Sequence, residues 1–467
     1  MSTLTSAQDA HELVARLRTT FESGHTRSRE WRSAQLLALR RMITENERDI
    51  EAALMADLGK PAVESQITEI GFVLGEIDHT VKNLARWMKP QRVRVPAALV
   101  PASARVVSEP LGVALIIAPW NYPFQLALAP LIGALAAGCA VVVKPSEISG
   151  ATSNLLARLV ADYLDNSAVA VVEGAAAETG WLLEARWDHI LYTGNERVAK
   201  IIAEAAAKHL TPTTLELGGK SPTFVDETTN LPAAARRIAW GKFVNAGQTC
   251  VAPDYVLVTP GARAGLEREL VNAVREMFGD DPARSTSYAR IINENHFERL
   301  SALLGSGRTV VGGKSDKKSR YFPPTILSDE SADSVVMKDE IFGPILPMIE
   351  VSDHNAAIAF ITARPKPLAL YVFSENASVR RDFTSKTSSG ALGFNVPLAH
   401  MSVHDLPFGG VGMSGSGAYH GKRSFDIFSH AKAVLSKPLR PETLGVIFPP
   451  YSRRKASLVT GALRKLS

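Results

Sequence analysis

The chain predicts an α/β fold of more than one domain, and three observations carry that prediction. From Val113 onward, short apolar runs alternate with helix-like segments, the pattern of a parallel sheet covered by helices. A second series of the same kind follows after a Gly-Gly break at Gly218-Gly219. The length, 467 residues, exceeds what one simple core holds, and 46% hydrophobic with 21% charged residues is ordinary for a soluble globular chain.

The first 90 residues read as helix. In "RSREWRSAQLLALRRMITENERDIEAALMADLGKP" apolar residues recur at helical spacing, and Gly59 with Pro61 end the run as C-terminal signals do. "SQITEIGFVLGEIDHTVKNLARWM" is a second such segment. "KPQRVRVPAALVPASARVVSEP" is rich in Pro and Val with near period-2 alternation, which reads as an extended arm or edge hairpin. Leu111 to Val143 holds no charge and is long enough to span a bilayer, but Pro119, Asn121, Pro123 and Pro130 interrupt it. "GVALIIAP" fits a buried parallel strand ending at a turn. "LAPLIGALAAGCAVVVKP" fits a short helix, a stop at Gly138 and a second buried strand. Helix "SNLLARLVADYL", strand "VAVVEG", helix "TGWLLEA", strand "DHILYTG" and helix "ERVAKIIAEAAAKHL" continue the series. Open parallel sheets bind ligands at the carboxyl ends of their strands. Three polar sites fall there: Asn121, Lys144 to Glu147, and Thr193 to Glu196. This part is expected to be a nucleotide domain. "TPTTLELGGKSPTFV" opens the second region, with strands at "YVLVTP" and "LALYVFS". The glycine-dense "LPFGGVGMSGSGAYHGKRSFDIFSHAKAVLSKP" is expected to pack against other backbone or a ligand.

Charge and cysteine content narrow the function. The net charge is +5, from 52 basic and 47 acidic residues. Arg453, Arg454, Lys455, Arg464 and Lys465, in an acid-free tail, account for the excess. The body is balanced, which argues against nucleic-acid binding. The tail reads as a solvated terminus or as a contact for an anionic surface. Two cysteines do not make a secreted disulfide framework, and "MSTLTSAQDAHELVARL" lacks the layout of a signal peptide. Both point to a cytoplasmic protein.

Cys139, in "AAGCAVVV", has the small apolar neighbours of a core residue. Cys250 ends "FVNAGQTC", where glycine permits close approach of a substrate or cofactor. It is either a nucleophile at a cleft or a second buried cysteine. Glu216, between apolar residues in "LELGGKSP", is either a buried ion-pair partner or a catalytic carboxylate with a raised pKa. Glu340, in "KDEIFGP", has the same alternatives. Gly194 in "YTGNERVAK" ends a strand before a helix, where backbone N–H groups can hold a phosphate, although the turn is not GxGxxG. No metal site is expected.

Together, "FVNAGQTCVAPD", "LELGGKSP", "PWNYP", "VVVKPSE" and "EIFGP" resemble the aldehyde dehydrogenase superfamily, in the right order and over about residues 10 to 450. Glu216 to Cys250 is 34 residues and Cys250 to Glu340 is 90, which also fits. "GQTCVAPDYVL" and the glycine-dense stretch resemble its class 3 branch of fatty, aromatic and coniferyl aldehyde enzymes. The resemblance implies a Rossmann-type nucleotide domain over 1–90 and 111–212, and an α/β catalytic domain over 213–425. It implies an oligomerisation arm from 91–110 and 426–440, with a tail at 441–467. It implies oxidation of a hydrophobic aldehyde to its acid through a cysteine thiohemiacetal and thioester, with NAD as cofactor and NADP accepted too. By the same resemblance Cys250 is the nucleophile, Asn121 and the Cys250 N–H hold the oxyanion, and Glu216 activates the deacylating water. Lys144 and Glu147 take the adenosine ribose. Gly194, Asn195, Glu196, Arg197, Val198 and Ala199 form the pyrophosphate turn, and Glu340 takes the nicotinamide ribose, with Phe342 in the same set. The branch usually has Gly-Asn-Thr-Ala-Val-Gly at that turn, so Glu196, Arg197 and Ala199 depart from it. A homodimer without a transmembrane segment is implied. The rivals are a CoA-acylating enzyme, against which Glu216 argues, and a non-catalytic protein retaining the fold, against which the full set of Cys250, Glu216 and Asn121 argues.

Overall fold

Two parallel sheets and one small antiparallel sheet organise the chain, of which the computed structural model describes residues 4–305 and 307–464. The first sheet has the order Gly415–Ser416, Thr213–Leu217, His189–Gly194, Val113–Ile117, Ala140–Lys144, Val169–Val171. Only its pairing with Gly415–Ser416 is antiparallel. Val113–Ile117 and Ala140–Lys144 are buried along their whole length, covered by helices on both faces, which is why they read as unbroken apolar runs. From Val113–Ile117 the chain steps outward to Val169–Val171, then returns to the other side with His189–Gly194. The strand order therefore reverses beside Val113–Ile117, and the crevice at the carboxyl ends there is flanked by Asn121 and Gly194.

The amino-terminal helices cover this sheet. The expected helix ending at Gly59 is two helices, Arg29–Glu45 and Glu47–Leu58. Asn46 breaks it: its side-chain amide donates to the Met42 carbonyl at 2.8 Å and to Tyr163 Oη at 3.1 Å. Gly59 closes the second helix in the left-handed conformation, φ +59°. The next segment is a helix from Ala62 to Met88 interrupted by a π turn at Gln66–Ile70. The short helix expected in "LAPLIGALAAG" is helix Gln125–Ala137, which contains Pro130. Every residue of that helix is buried, and packing on all sides outweighs the ~3 kcal/mol that an internal proline costs.

The second sheet has the order Arg308–Val311, Thr325–Ser328, Ile345–Glu350, Tyr255–Val258, Pro222–Val225, Ala369–Phe373, Ala391–Phe394, parallel except at its first pair. The chain crosses between the sheets at Gly218–Ser221. Strand Thr213–Leu217, expected to open the catalytic domain, is hydrogen-bonded into the first sheet and carries Glu216 there. The glycine-dense stretch packs against backbone as expected: Gly415 lies opposite Glu216, and a Cβ on it would sit 2.4 Å from the Leu215 carbonyl oxygen. The third sheet joins Gln91–Val93, Ser103–Pro110 and Ser429–Ser436, all antiparallel. A helix, Arg453–Leu463, forms in the basic tail; Lys465 lies outside the described residues. Among the described residues no helix is long and apolar enough to cross a membrane.

Candidate active site

Cys250 lies between helix Leu231–Phe243 and strand Tyr255–Val258 of the second sheet, near Glu216 of the first. Helix Leu231–Phe243 leads into a tight turn, Val244–Gly247, in which Asn245, Ala246 and Gly247 are all left-handed, with φ of +53°, +50° and +74°. A Cβ on Gly247 would lie 2.3 Å from the Gly343 carbonyl oxygen. "NAGQTC" and "EIFGP" thus touch backbone to backbone, and only glycine fits between them. The Gln248 side chain fastens the turn by donating to the Asn245 and Arg290 carbonyls, both at 3.0 Å, and by accepting from the Ile292 N–H at 2.9 Å.

Burial, with the Glu340 and Glu216 carboxyls beside it, pushes the Cys250 thiol up to about 12. Its own N–H and that of Val251 act the other way, favouring the thiolate. Burial thus opposes the thiolate expected from the sequence, and these two N–H groups favour it. Cys139 is a core residue: it is fully buried, and its thiol donates to the Phe428 carbonyl at 3.3 Å.

Glu216 is 1% exposed and neither carboxyl oxygen has a hydrogen-bond partner. It is not a structural ion pair. Burial raises its pKa well above the usual carboxylate range. Thr193, its neighbour across the strands, also has a buried, unpartnered hydroxyl. Asn121 is buried in the turn after Val113–Ile117, and its side-chain amide donates to the Gln248 carbonyl at 3.0 Å. That amide carries a second N–H. Tyr122 Oη lies 2.6 Å from Thr249 Oγ1, a second tie between this turn and the residue before Cys250.

Glu340 lies over Gly218, whose Cβ would be 2.1 Å from Glu340 Oε2. Burial, then Asp254, raises it to about 8, while the Gly219 N–H opposes the rise. Phe342 has φ +47° and packs edge-on against Trp120 at 5.4 Å. Lys144 ends its strand, 3% exposed, and donates to Glu147 at 3.1 Å. At Gly194 a Cβ would meet Tyr192 Oη at 2.2 Å. Asn195 caps helix Glu196–Ala207 by accepting from the Val198 N–H at 3.0 Å, and Glu196 pairs with Lys200. Ala199 is buried in the core of the first sheet. Cys250, Glu216, Asn121 and Glu340 thus gather at one place, while Lys144, Glu147 and Gly194 to Ala199 line the carboxyl ends of the first sheet.

Several supporting residues escaped the sequence reading. Arg299 donates to the Ile341 carbonyl at 2.7 Å, and Asp254 accepts from the Ile341 N–H at 3.0 Å, so these two hold the Glu340 loop. Lys60, fully buried, pairs with Glu69, and Glu69 also accepts from the Phe124 and Gln125 N–H groups at 3.1 and 2.8 Å. Asn245 stands inside a quoted motif, yet nothing in its spelling marks its role.

Residues 2–434 match the model of the aldehyde dehydrogenase family. The chain belongs to the aldehyde dehydrogenase family. It is 48% identical over 453 residues to rat (Rattus norvegicus) aldehyde dehydrogenase family 3 member B1, covering 97% of each chain. It is also 48% identical to a dog (Canis lupus familiaris) protein named aldehyde dehydrogenase, dimeric NADP-preferring, covering 94% of this chain and 97% of that one. Among solved structures, that described as the substrate-bound state of Staphylococcus aureus AldH superposes with a TM-score of 0.95 at 43% identity, covering 97% of this chain and 99% of that one. This aldehyde dehydrogenase is an enzyme that oxidises aldehydes with a nicotinamide dinucleotide, in an α/β fold shared with its relatives.

Proposed function

We propose that Cys250 is the nucleophile, Asn121 and the Cys250 N–H the oxyanion donors, and Glu216 the base of deacylation. The observation that carries this reading is the hydrogen bond from the Asn121 amide to the Gln248 carbonyl, which ties the donor to the strand of chain that ends in Cys250. Cys250 gives up its proton to water, and its sulfur bonds the aldehyde carbon as the C=O π pair moves onto oxygen. The carbonyl oxygen becomes an oxyanion, held by the second amide N–H of Asn121 and the backbone N–H of Cys250. Oxidation of this adduct to the Cys250 thioester would release a hydride, for which a nicotinamide dinucleotide, when bound, would be the two-electron acceptor. Glu216, once ionised, takes a proton from water, the hydroxide equivalent bonds the acyl carbon, and the C–S bond breaks to release the acid and the Cys250 thiolate.

The residues at the first sheet suit the dinucleotide. Thr193 leaves a buried hydroxyl unpartnered beside the turn, and the first N–H groups of helix Glu196–Ala207 point out of its end. Lys144 and Glu147 would hold the adenosine ribose, Gly194 to Ala199 the pyrophosphate, and Glu340 with Phe342 the nicotinamide ribose. NAD is the oxidant, with NADP accepted. The substrate is a hydrophobic aliphatic or aromatic aldehyde. The enzyme works in the cytoplasm as a homodimer, in keeping with the dimeric name of the dog relative and with strand Ser429–Ser436, which pairs on one side only.

The test is a pair of variants assayed by NADH absorbance. Cys250→Ala abolishes oxidation while folding and NAD binding persist, and Cys139→Ala keeps most activity. A dead Cys139→Ala beside a live Cys250→Ala overturns the assignment.

A further inference from the structure

We propose that Glu64, on the amino-terminal helical layer, is a positioning residue for the oxyanion site and acts through Asn245. The proposal rests on the reading of Cys250 and Asn121 given above. Its starting point is strain. Asn245 and Ala246 are two consecutive non-glycine residues in the left-handed region, a conformation that L side chains disfavour. Such backbone persists only where its surroundings over-determine it.

The contacts that fix this turn are specific. Glu64 accepts the Asn245 N–H at 2.9 Å. The Asn245 amide then reaches two carbonyls, that of Asn121 at 2.8 Å and that of Gln248 at 3.1 Å. The Gln248 carbonyl is the same atom that accepts the Asn121 amide. Asn245 therefore bridges the turn that carries the oxyanion donor and the turn that carries the nucleophile. Lys60, four residues before Glu64, donates to the Asn121 carbonyl at 3.3 Å and stacks its ammonium 4.2 Å from the Tyr122 ring. The first turn after Gly59 thus grips both loops from behind, Lys60 at Asn121 and Glu64 at Asn245.

Removing the Glu64 carboxylate frees a strained N–H and lets the turn relax. The relaxation moves Gln248, and with it the angle of the Asn121 amide. The loss falls on formation of the adduct and not on dinucleotide binding, because no residue placed at the first sheet's cofactor end touches Glu64. Glu64→Gln keeps an acceptor oxygen in the same place and restores most of the geometry.

The experiment compares Glu64→Ala, Glu64→Gln, Asn245→Gly and the double variant Glu64→Ala/Asn245→Gly. Each is mixed rapidly with saturating NAD and benzaldehyde, and the first-turnover NADH burst is followed. NAD affinity is measured separately by quenching of tryptophan fluorescence. The expected result is a burst slowed by about 10- to 100-fold in Glu64→Ala, the cost of a displacement near 1 Å at reacting groups. Glu64→Gln recovers to within about threefold of wild type, NAD affinity is unchanged in both, and the double variant is no slower than Asn245→Gly alone. An unchanged burst in Glu64→Ala overturns the proposal. So do equally slow Ala and Gln variants, a parallel loss of NAD affinity, or additive effects in the double variant. If Glu64→Ala does not fold, Asn245→Gly decides, since it keeps the left-handed backbone and removes only the bridge; a wild-type burst there also overturns it. Cys250→Ala separates this proposal from the site reading. If that variant still shows a burst, the site reading has failed; if it is dead and Glu64→Ala is normal, only the present proposal has.

Discussion

Gly247→Ala tests the contact between the nucleophile turn and the Glu340 loop. Its Cβ would lie 2.3 Å from the Gly343 carbonyl oxygen, 2.5 Å from the carbonyl carbon and 2.9 Å from Pro344 N. All three are backbone atoms, so no side chain can swing aside. Real Cβ atoms essentially never come within 3.0 Å, so the two loops must part by about 0.7–1 Å. Alanine also pays roughly 1–2 kcal/mol for φ +74°. Cys250 is three residues on, and a shift near 1 Å at reacting groups lowers rate by about a hundredfold. The assay is the NADH burst at saturating NAD and aldehyde, together with chemical unfolding. Gly180→Ala is the control, because Gly180 lies in helix Ala176–Glu184 with nothing within 4 Å of an added Cβ. The control is expected to be about 0.5–1 kcal/mol more stable than wild type and fully active. A Gly247→Ala burst within about threefold of wild type would refute the claim that the two loops are locked together.

Two further outcomes follow from the charges. Glu147 should disfavour a 2′-phosphate, but its bond to Lys144 and its 46% exposed side chain screen the effect. NAD should therefore lead NADP in kcat/KM by about fivefold, the low end of a ~1–2 kcal/mol repulsion; Glu147→Gln should narrow the gap by improving NADP, and a wild type that already prefers NADP counts against Glu147 as the discriminator. Glu340, raised to about 8 by burial, binds its proton more tightly folded than unfolded, so its contribution to stability is full below pH ~4.5 and is lost as pH rises to 8. Glu340→Gln should gain stability over wild type by a margin that grows between pH 5 and 8, on the order of 1–2 kcal/mol given its partial exposure; a margin flat with pH would show that the carboxyl is not held protonated.

Much of this was legible in the sequence for physical reasons that can be named. Strands buried on both faces must be apolar throughout, so "GVALII" and "AVVVK" declared themselves. Gly59 and Gly138 stop helices where left-handed φ is required. The motif residues stood out because glycine, cysteine and carboxylates in apolar runs are unusual there. What stayed hidden was long-range. Lys60 and Glu64 look like solvent-facing residues after a helix stop, and only the return of Asn121 and Asn245 buries them or gives them partners. The break at Asn46 rests on Tyr163, 117 residues away, and the continuity through Pro130 rests on packing from other elements. Which sheet Thr213–Leu217 would join was set by its partner His189–Gly194, not by its own residues. The upward shift of the Cys250 thiol likewise comes first from burial, then from Glu340 and Glu216, all of which meet it only in the fold.

The central claim is that an acyl group passes through Cys250 and leaves by way of Glu216. Glu216→Gln is nearly the same size and removes only the base. Mixed with NAD and benzaldehyde, it should release about one NADH per active site and then stall. Quenching at that point and mapping the protein by mass spectrometry measures the claim directly. The account predicts a benzoyl mass on the peptide containing Cys250 and none on the peptide containing Cys139. A burst with no acyl mass on Cys250, an acyl mass on Cys139, or wild-type turnover in Glu216→Gln would contradict it.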